Sequence, residues 1–213
     1  MTAPAAPRLI WHFDVISPFA ALAVPEVAAL AADHAIALRP VLFAGLLEAH
    51  GHLGPAEIPA KRVQTYRFAQ WLATERGVPF RTPPAHPFNP LQILRLLCVR
   101  DLAIADVAAA FALVWGEGRD PEAIETAQRL ADALGVPLAA ASAPAAKERL
   151  RANTDAAIAA GVYGVPTLQI GDELFWGLDA LPMARAFLAD PAMFAGGEMA
   201  RLSNLPMATE RRR

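Results

Sequence analysis

The segment most informative about the fold is Gly161-Val-Tyr-Gly-Val-Pro-Thr167, which continues as Leu168-Gln-Ile170. A helix-like run over residues 152–160 ends at the first glycine, as helices often do. The residues from Thr167 onward are β-branched or aliphatic, which suits a half-buried strand. The Val165–Pro166 bond can be cis, and such a bond would turn the preceding N–H and C=O groups outward, towards a peptide-like ligand. An ordinary trans turn is the alternative interpretation.

A second segment, near the other end of the chain, supports the interpretation of the Val165–Pro166 segment as a ligand-binding loop. Leu9–Phe13 is an apolar strand candidate, and it is followed by Asp14 and by an alanine-rich helix over residues 19–32. Ser17 and Pro18 stand at the start of that helix, where serine is a favoured N-cap and proline a favoured first residue. A strand, a polar residue at a helix start and a distant Val-Pro before another strand are typical of a thioredoxin-like arrangement. Redox members carry Cys-x-x-Cys at the helix start, and this chain has no cysteine there.

Three motifs carry a family resemblance. They are Phe13-Asp-x-x-Ser-Pro-Phe19, Gly164-Val-Pro-Thr167 and Phe175-Trp-Gly-Leu-Asp179. Together they resemble the 2-hydroxychromene-2-carboxylate isomerase family, which is close to the kappa-class glutathione transferases within the wider DsbA-like group. The resemblance extends over residues 9–188. It implies an α/β, thioredoxin-like sheet of the DsbA or kappa type with a large all-helical insertion.

The pattern between the two thioredoxin-like segments is mostly helical. Residues 35–41 alternate as a second strand, which the β-α-β rule makes parallel to the first. Helix candidates follow over residues 42–50, 60–76, 91–100, 103–115, 120–134 and 147–160. We therefore predict a first thioredoxin-like part over residues 1–42, a helical insertion over 43–149, and a second part with a C-terminal tail over 150–213.

Two of the predicted elements have features of their own. The helix over residues 60–76 is amphipathic, because Val63, Tyr66, Phe68, Trp71 and Leu72 recur at steps of three or four residues. After the Thr167 strand, Gly171-Asp172 predicts a hairpin to a last strand over 174–176, and a closing helix follows over 179–188. The tail from residue 191 has no clear periodicity and ends in three arginines, which we interpret as a solvated end.

Composition narrows the class of protein. The chain has 213 residues, of which 55% are hydrophobic and 19% charged, so we expect a soluble globular protein rich in helix. Its formal net charge of -2 gives no electrostatic case for nucleic acid. No apolar run reaches the ~18–20 residues that cross a membrane, and the N-terminus lacks a signal-peptide pattern, so we expect a cytoplasmic protein without membrane partners. The single cysteine, Cys98, lies in an apolar run and is interpreted as a buried hydrophobic residue, with a catalytic thiol as the alternative.

Ser17 is the first candidate for chemistry. One interpretation is a plain N-cap. The other is catalytic: free N–H groups and the macrodipole at the helix start, together with the hydroxyl, would favour a sulfur anion. Because the chain places no thiol of its own there, the thiol would arrive with a ligand. The resemblance implies that this ligand is glutathione, bound as a cofactor with the serine as its sulfur partner.

The resemblance also implies the remaining cofactor-binding residues, which are Ser17, Val165, Pro166, Trp176, Gly177, Leu178 and Asp179. Val165 would pair with the peptide backbone of glutathione through its main chain; a core valine beside a turn is the other interpretation. Asp179 is an N-cap or the partner of the γ-glutamyl amine. The family pattern continues with an arginine, where this chain has Ala180, so an expected carboxylate partner is missing.

A second substrate would lie against the helical insertion. The expected substrate-binding residues are Phe19, His50, His52, Lys61, His86 and Asn89, and Phe19, Trp71, Phe88 and Trp115 would form an aromatic wall. His52 stands near an asparagine position of the family, and Lys61 matches a family lysine. The histidines do not have the spacing of metal ligands, so we expect no metal site.

Three hypotheses for the function stay open. The first is a glutathione-dependent cis-trans isomerase that resembles 2-hydroxychromene-2-carboxylate isomerase and acts on a small aromatic intermediate of aromatic degradation. The second is a kappa-like glutathione transferase or peroxidase that uses the same thiolate. The third is a non-catalytic, thioredoxin-like ligand-binding protein, which Ala180 favours. The resemblance also implies a homodimer.

Overall fold

The computed structural model describes residues 9–209, and a mixed four-stranded sheet forms its centre. The strands are β1 (Leu9–Phe13), β2 (Ile36–Pro40), β3 (Thr167–Ile170) and β4 (Glu173–Trp176). Their order across the sheet is β2-β1-β3-β4. β1 pairs with β2 in parallel and with β3 antiparallel, and β4 is antiparallel to β3. The predicted strands, the parallel first pair and the hairpin are confirmed.

Helices connect and flank the strands. In chain order they are α1 (Pro18–Asp33), α2 (Phe43–His50), α3 (Pro59–Glu75), α4 (Leu91–Leu97), α5 (Ile104–Phe111), α6 (Ile124–Leu134), α7 (Pro144–Ala159), α8 (Leu181–Ala189) and α9 (Gly197–Leu202). α5 continues into a π-helical turn over Ala112–Gly116, and a short 3-10 turn over Leu178–Ala180 precedes α8. None of the helices within residues 9–209 is both long and apolar enough to cross a membrane.

The main core packs around β1, one of the two inner strands. Trp11 and Phe13 of β1 are fully buried, stack at 4.8 Å between ring centroids, and meet Phe111 of α5. This cluster contains residues of the strands as well as of the helices over residues 43–149. The predicted boundaries of the helical insertion stay a prediction. A second, smaller cluster includes Val162 and Val165, so the loop before β3 has its own apolar support.

The predicted apolar face of α3 differs from the observed one. Val63, Phe68 and Trp71 are 52%, 43% and 56% exposed, whereas Ala69 and Ala73 are buried. The small alanines let the helix backbone approach the core closely, and the large side chains are left on the outside. The helix is confirmed, but its predicted amphipathic character is wrong, because the apolar residues that suggested it do not form one buried face.

Two smaller predictions are also corrected. α6 begins at Ile124 rather than at residue 120, because Asp120 accepts a hydrogen bond from the Glu122 amide and forms a turn first. The tail contains α9, where a Glu198–Arg201 ion pair spans one turn. The three terminal arginines, residues 211–213, lie outside the described residues.

Candidate functional site

A tight turn over residues 14–17, here called the serine turn, connects β1 to α1. The Ser17 amide donates to the Asp14 carbonyl at 3.1 Å, and Ser17 Oγ accepts from the Ala20 amide at 3.2 Å. Ser17 is thus the N-cap of a 16-residue helix with proline at its first position, as predicted. The first turn of α1 reads Pro-Phe-Ala-Ala and carries no acidic side chain. The amide groups and dipole of this helix therefore favour an anion beside the Ser17 hydroxyl.

The loop before β3 meets the serine turn directly. The Val165–Pro166 bond is cis, and Ser17 Oγ donates to the Val165 carbonyl at 3.3 Å across 148 residues of sequence. An O–H···O distance of 3.3 Å is longer than the usual 2.5–3.0 Å. This hydrogen bond is therefore weak, and the hydroxyl can turn to a stronger acceptor with little loss. The two segments singled out in the sequence come together at one point.

Asp14 shapes the serine turn from inside. Its carboxylate accepts from the Ile16 amide at 3.0 Å and from the Phe43 amide of α2 at 2.9 Å. Burial raises the pKa of Asp14 to about 7, against the two backbone hydrogen bonds, which lower it. Asp14 belongs to one of the sequence motifs, but its hydrogen bonds within the serine turn were not predicted. The signal was present, because an aspartate just after a strand commonly bonds to the amide two residues on.

An aromatic ledge, defined here as His50, His52, Tyr163 and Trp176, lies beside the cis-proline loop. The Tyr163 and Trp176 rings are 5.2 Å apart, and His50 Nε2 lies 3.1 Å from the Val162 carbonyl. The His50 ring is 6.0 Å from that of His52 and 6.4 Å from that of Tyr163. Trp176 lies over Gly164 so closely that a Cβ there would collide with the indole nitrogen. The ledge brings together three predicted site residues, His50, His52 and Trp176. Tyr163 was not predicted as a site residue.

A groove of about 310 Å³ opens on the α3 side of α1. Its lining residues are Phe19, Ala60, Lys61, Gln64, Thr65 and Phe68. The Phe19 and Phe68 rings are 6.0 Å apart, so the groove has an aromatic wall with one lysine beside it. The structure thus brings Phe19 and Lys61 together in one groove, and their role in substrate binding stays a prediction.

The predicted aromatic wall is only partly present. Trp71 stacks on Phe68 at 5.9 Å but does not line the groove, and Phe88 and Trp115 are buried in the core. Phe68 contributes to the wall instead. The sequence showed these aromatic residues, but their positions depend on which faces of the helices pack inward.

The other two expected substrate residues are held by internal partners. His86 has its Nε2 2.8 Å from the Ile16 carbonyl and its Nδ1 2.9 Å from the Tyr66 hydroxyl. Asn89 Oδ1 accepts from the Leu91 amide at 3.1 Å, at the start of α4. Asn89 thus forms a side-chain turn just before α4, and His86 contacts the serine turn.

The segment after β4 lies against the cis-proline loop. The Gly177 amide donates to the Pro166 carbonyl at 2.8 Å, and Gly177 has a φ of 93°, which favours glycine. Leu178 is buried, whereas Asp179 is exposed and free to meet a cationic group. Ala180, at the family's arginine position, packs against the core.

The one cysteine is not part of this site. Cys98 is buried, and burial raises the pKa of its thiol to about 12, so it stays protonated at neutral pH. Within residues 9–209, no group of three or more His, Cys, Asp and Glu side chains is arranged to hold a metal ion. The fold and site therefore define a thioredoxin-like protein with a serine at the helix start, where redox members have their dithiol.

Comparisons with known proteins agree with this class. A family model described as a DSBA-like thioredoxin domain matches residues 8–189. A 2-hydroxychromene-2-carboxylate isomerase of Pseudomonas putida is 32% identical over 196 residues, which are 86% of this chain and 92% of the relative. Glutathione s-transferase kappa 2 of Caenorhabditis elegans is 27% identical over 208 residues, which are 85% of this chain and 91% of the relative.

A solved structure of 2-hydroxychromene-2-carboxylate isomerase superposes with a TM-score of 0.77 at 28% identity and covers 91% of this chain and 98% of its own. The chain therefore belongs to the DSBA-like thioredoxin domain family and, within it, to the 2-hydroxychromene-2-carboxylate isomerase family. The predicted family resemblance and fold class are confirmed.

Proposed function

We propose that this protein is a glutathione-dependent cis-trans isomerase of a small, anionic aromatic substrate similar to 2-hydroxychromene-2-carboxylate. The observation that carries the proposal is the contact between Ser17 Oγ and the Val165 carbonyl. It joins a helix N-terminus that favours an anion to a loop with a cis proline, at a place where the chain has no thiol. The isomerases among the relatives and the kappa transferase support the same class of chemistry.

Glutathione fits this site by its chemistry. When bound, it would supply a thiolate that adds reversibly to an unsaturated carbon of the substrate. Ser17 would turn its hydroxyl from the Val165 carbonyl to the sulfur, and the amides of α1 would lower the thiol pKa. The Val165 main chain would pair with the ligand's peptide backbone, and the exposed Asp179 carboxylate would meet the γ-glutamyl amine. Trp176 and Leu178 would line the same side of the ligand.

The groove beside Phe19 would hold the aromatic substrate. Phe19, one of its lining residues, follows Ser17 by two residues in the sequence. Phe19 and Phe68 offer faces for stacking, and Lys61 offers a positive charge for a carboxylate. His50 and His52, whose rings lie 6.0 Å apart on the aromatic ledge, would also contact the substrate.

A turnover experiment tests the proposal. The protein is given 2-hydroxychromene-2-carboxylate with a small, known amount of glutathione, and both the product and the free thiol are measured. We expect many product molecules per glutathione and an unchanged thiol count. One thiol lost per product would indicate a kappa-like transferase instead. S-Methylglutathione serves as the control, because it keeps the peptide and removes the reactive thiol.

A calorimetric titration with glutathione tests the third hypothesis, a non-catalytic, thioredoxin-like ligand-binding protein. One feature of the sequence favours this third hypothesis. Ala180 stands at the position where the family resemblance implies an arginine, so a ligand carboxylate loses one partner. Absence of both heat and turnover at millimolar glutathione would contradict the isomerase and support a non-catalytic, thioredoxin-like binding protein.

A further inference from the structure

The serine turn contains two carbonyl groups that point away from its own hydrogen bonds. The Asp14 carbonyl accepts from the Ser17 amide, and the Ser17 carbonyl accepts from the Ala21 amide as α1 begins. The carbonyls between them, of Val15 and Ile16, accept from side chains that lie 100 and 70 residues further along the chain. Both partners come from the helical region between the two thioredoxin-like segments.

The partner of Val15 is the Trp115 indole, whose Nε1 donates to the carbonyl at 2.7 Å. Trp115 lies in the π-helical turn after α5, where the Glu117 amide bonds to the carbonyl of Ala112, five residues earlier. A π turn adds one residue to a helical turn and rotates the side chains that follow, and such turns are frequent at functional sites. The buried indole is thereby directed at the serine turn.

The partner of Ile16 is the His86 imidazole. A carbonyl oxygen only accepts, so His86 Nε2, at 2.8 Å from it, must carry the hydrogen. Nδ1 is then an acceptor, and the Tyr66 hydroxyl of α3 lies 2.9 Å from both Nδ1 and the His86 carbonyl, so its single hydrogen is shared between these two acceptors. Burial lowers the pKa of His86, in agreement with a neutral ring of this single tautomer. The ring is further enclosed by Phe88 and Trp115, each at 5.5 Å between centroids.

We propose that His86, oriented by Tyr66 and assisted by Trp115, is a positioning residue that holds the serine turn so that the Ser17 hydroxyl faces the cis-proline loop. Its role in turnover rests on the proposed function. His86 acts through the Ile16 carbonyl and needs no contact with substrate. The helical region between the thioredoxin-like segments thus has a second role beside substrate binding. Through His86 and Trp115 it fixes the position of Ser17, the residue beside the proposed glutathione sulfur.

The first test needs no ligand. Amide hydrogen exchange is followed at Ile16 and Ser17, whose N–H groups are bonded within the turn. In His86→Phe the aromatic packing remains and the donor is lost, and we expect at least about tenfold faster exchange. His86→Gln is the matched control, because its amide nitrogen reaches about as far as Nε2 and donates, so exchange should stay within about twofold of wild type. Tyr66→Phe, a milder change, should fall between them.

The second test separates positioning from general packing. With the proposed substrate and saturating glutathione, His86→Phe should lower kcat about tenfold with little change in KM, and His86→Gln should recover most of the rate. Equal exchange in wild type, His86→Phe and Tyr66→Phe would overturn the proposal, as would a His86→Gln variant as impaired as His86→Phe. If wild type shows no turnover, the proposed function fails by itself, and the exchange measurement still decides whether His86 holds the turn.

Discussion

Replacing Asp14 with asparagine tests the electrostatics of the serine turn. The Asp14 carboxyl has an ordinary pKa of 3.8, and burial raises it to about 7 in the folded protein. Between these two values the folded state binds one more proton at this group than the unfolded state does. The free energy of unfolding therefore falls as the pH rises through this window. A difference of about 3 pKa units corresponds to about 4 kcal/mol at most.

Asp14→Asn removes the titration and keeps one acceptor oxygen for the two amides of Ile16 and Phe43. At about pH 4 the variant should be less stable than wild type, by about 1–2 kcal/mol, because one buried N–H loses its partner. From about pH 4 to pH 8 the free energy of unfolding of the wild type should fall by up to about 4 kcal/mol relative to that of the variant.

Urea denaturation followed by tryptophan fluorescence at several pH values measures both curves, because buried Trp11 and Trp115 report on the core. Asp172→Asn, at an exposed position in the β3–β4 turn, is the control for the loss of a negative charge. If the Asp14→Asn and wild-type stabilities run parallel over the whole pH range, the inference that Asp14 is buried and largely protonated in weak acid is refuted.

Three further predictions concern single side chains. Gly164→Ala should displace the Trp176 indole and change its fluorescence, with a stability cost that disappears when Trp176 is also alanine; the same cost in both backgrounds would rule out this contact. Cys98 should react with a thiol reagent only as the protein unfolds, because its thiol is buried and has a pKa of about 12, and rapid labelling of the native protein would contradict this. Lys61→Ala should raise the KM for an anionic substrate about tenfold with little effect on glutathione binding, whereas an unchanged KM would remove Lys61 from the substrate site.

The meeting of Ser17 and Val165 could be predicted from the sequence, because the two local patterns together are typical of a thioredoxin-like arrangement. A serine followed by proline after an apolar strand indicates a helix start, and Val-Pro before a β-branched run indicates the loop. The fold class then followed from the family motifs. These signals depend on neighbouring residues, and tertiary packing did not override them.

The side chains that hold the serine turn in place could not be predicted from local sequence patterns. His86 and Trp115 reach the serine turn over 70 and 100 residues, and nothing local in the sequence specifies these pairings. The exposed face of α3 was misassigned because its packing depends on the small Ala69 and Ala73 rather than on the large apolar residues. Hydrophobic periodicity identifies a helix, but the shape of the neighbouring core decides which side it buries.

Stabilisation of a glutathione thiolate by Ser17 can be measured as the pKa of the glutathione thiol in its complex with the protein. The thiolate absorbs in the ultraviolet, so a pH titration of the complex reports this pKa, and Ser17→Ala is measured beside wild type. We predict a value at or below about 7.5 in wild type, against about 8.5 for an ordinary cysteine thiol, and a rise of about one unit in Ser17→Ala. A bound thiol that titrates like the free one, with no change in Ser17→Ala, would contradict the account.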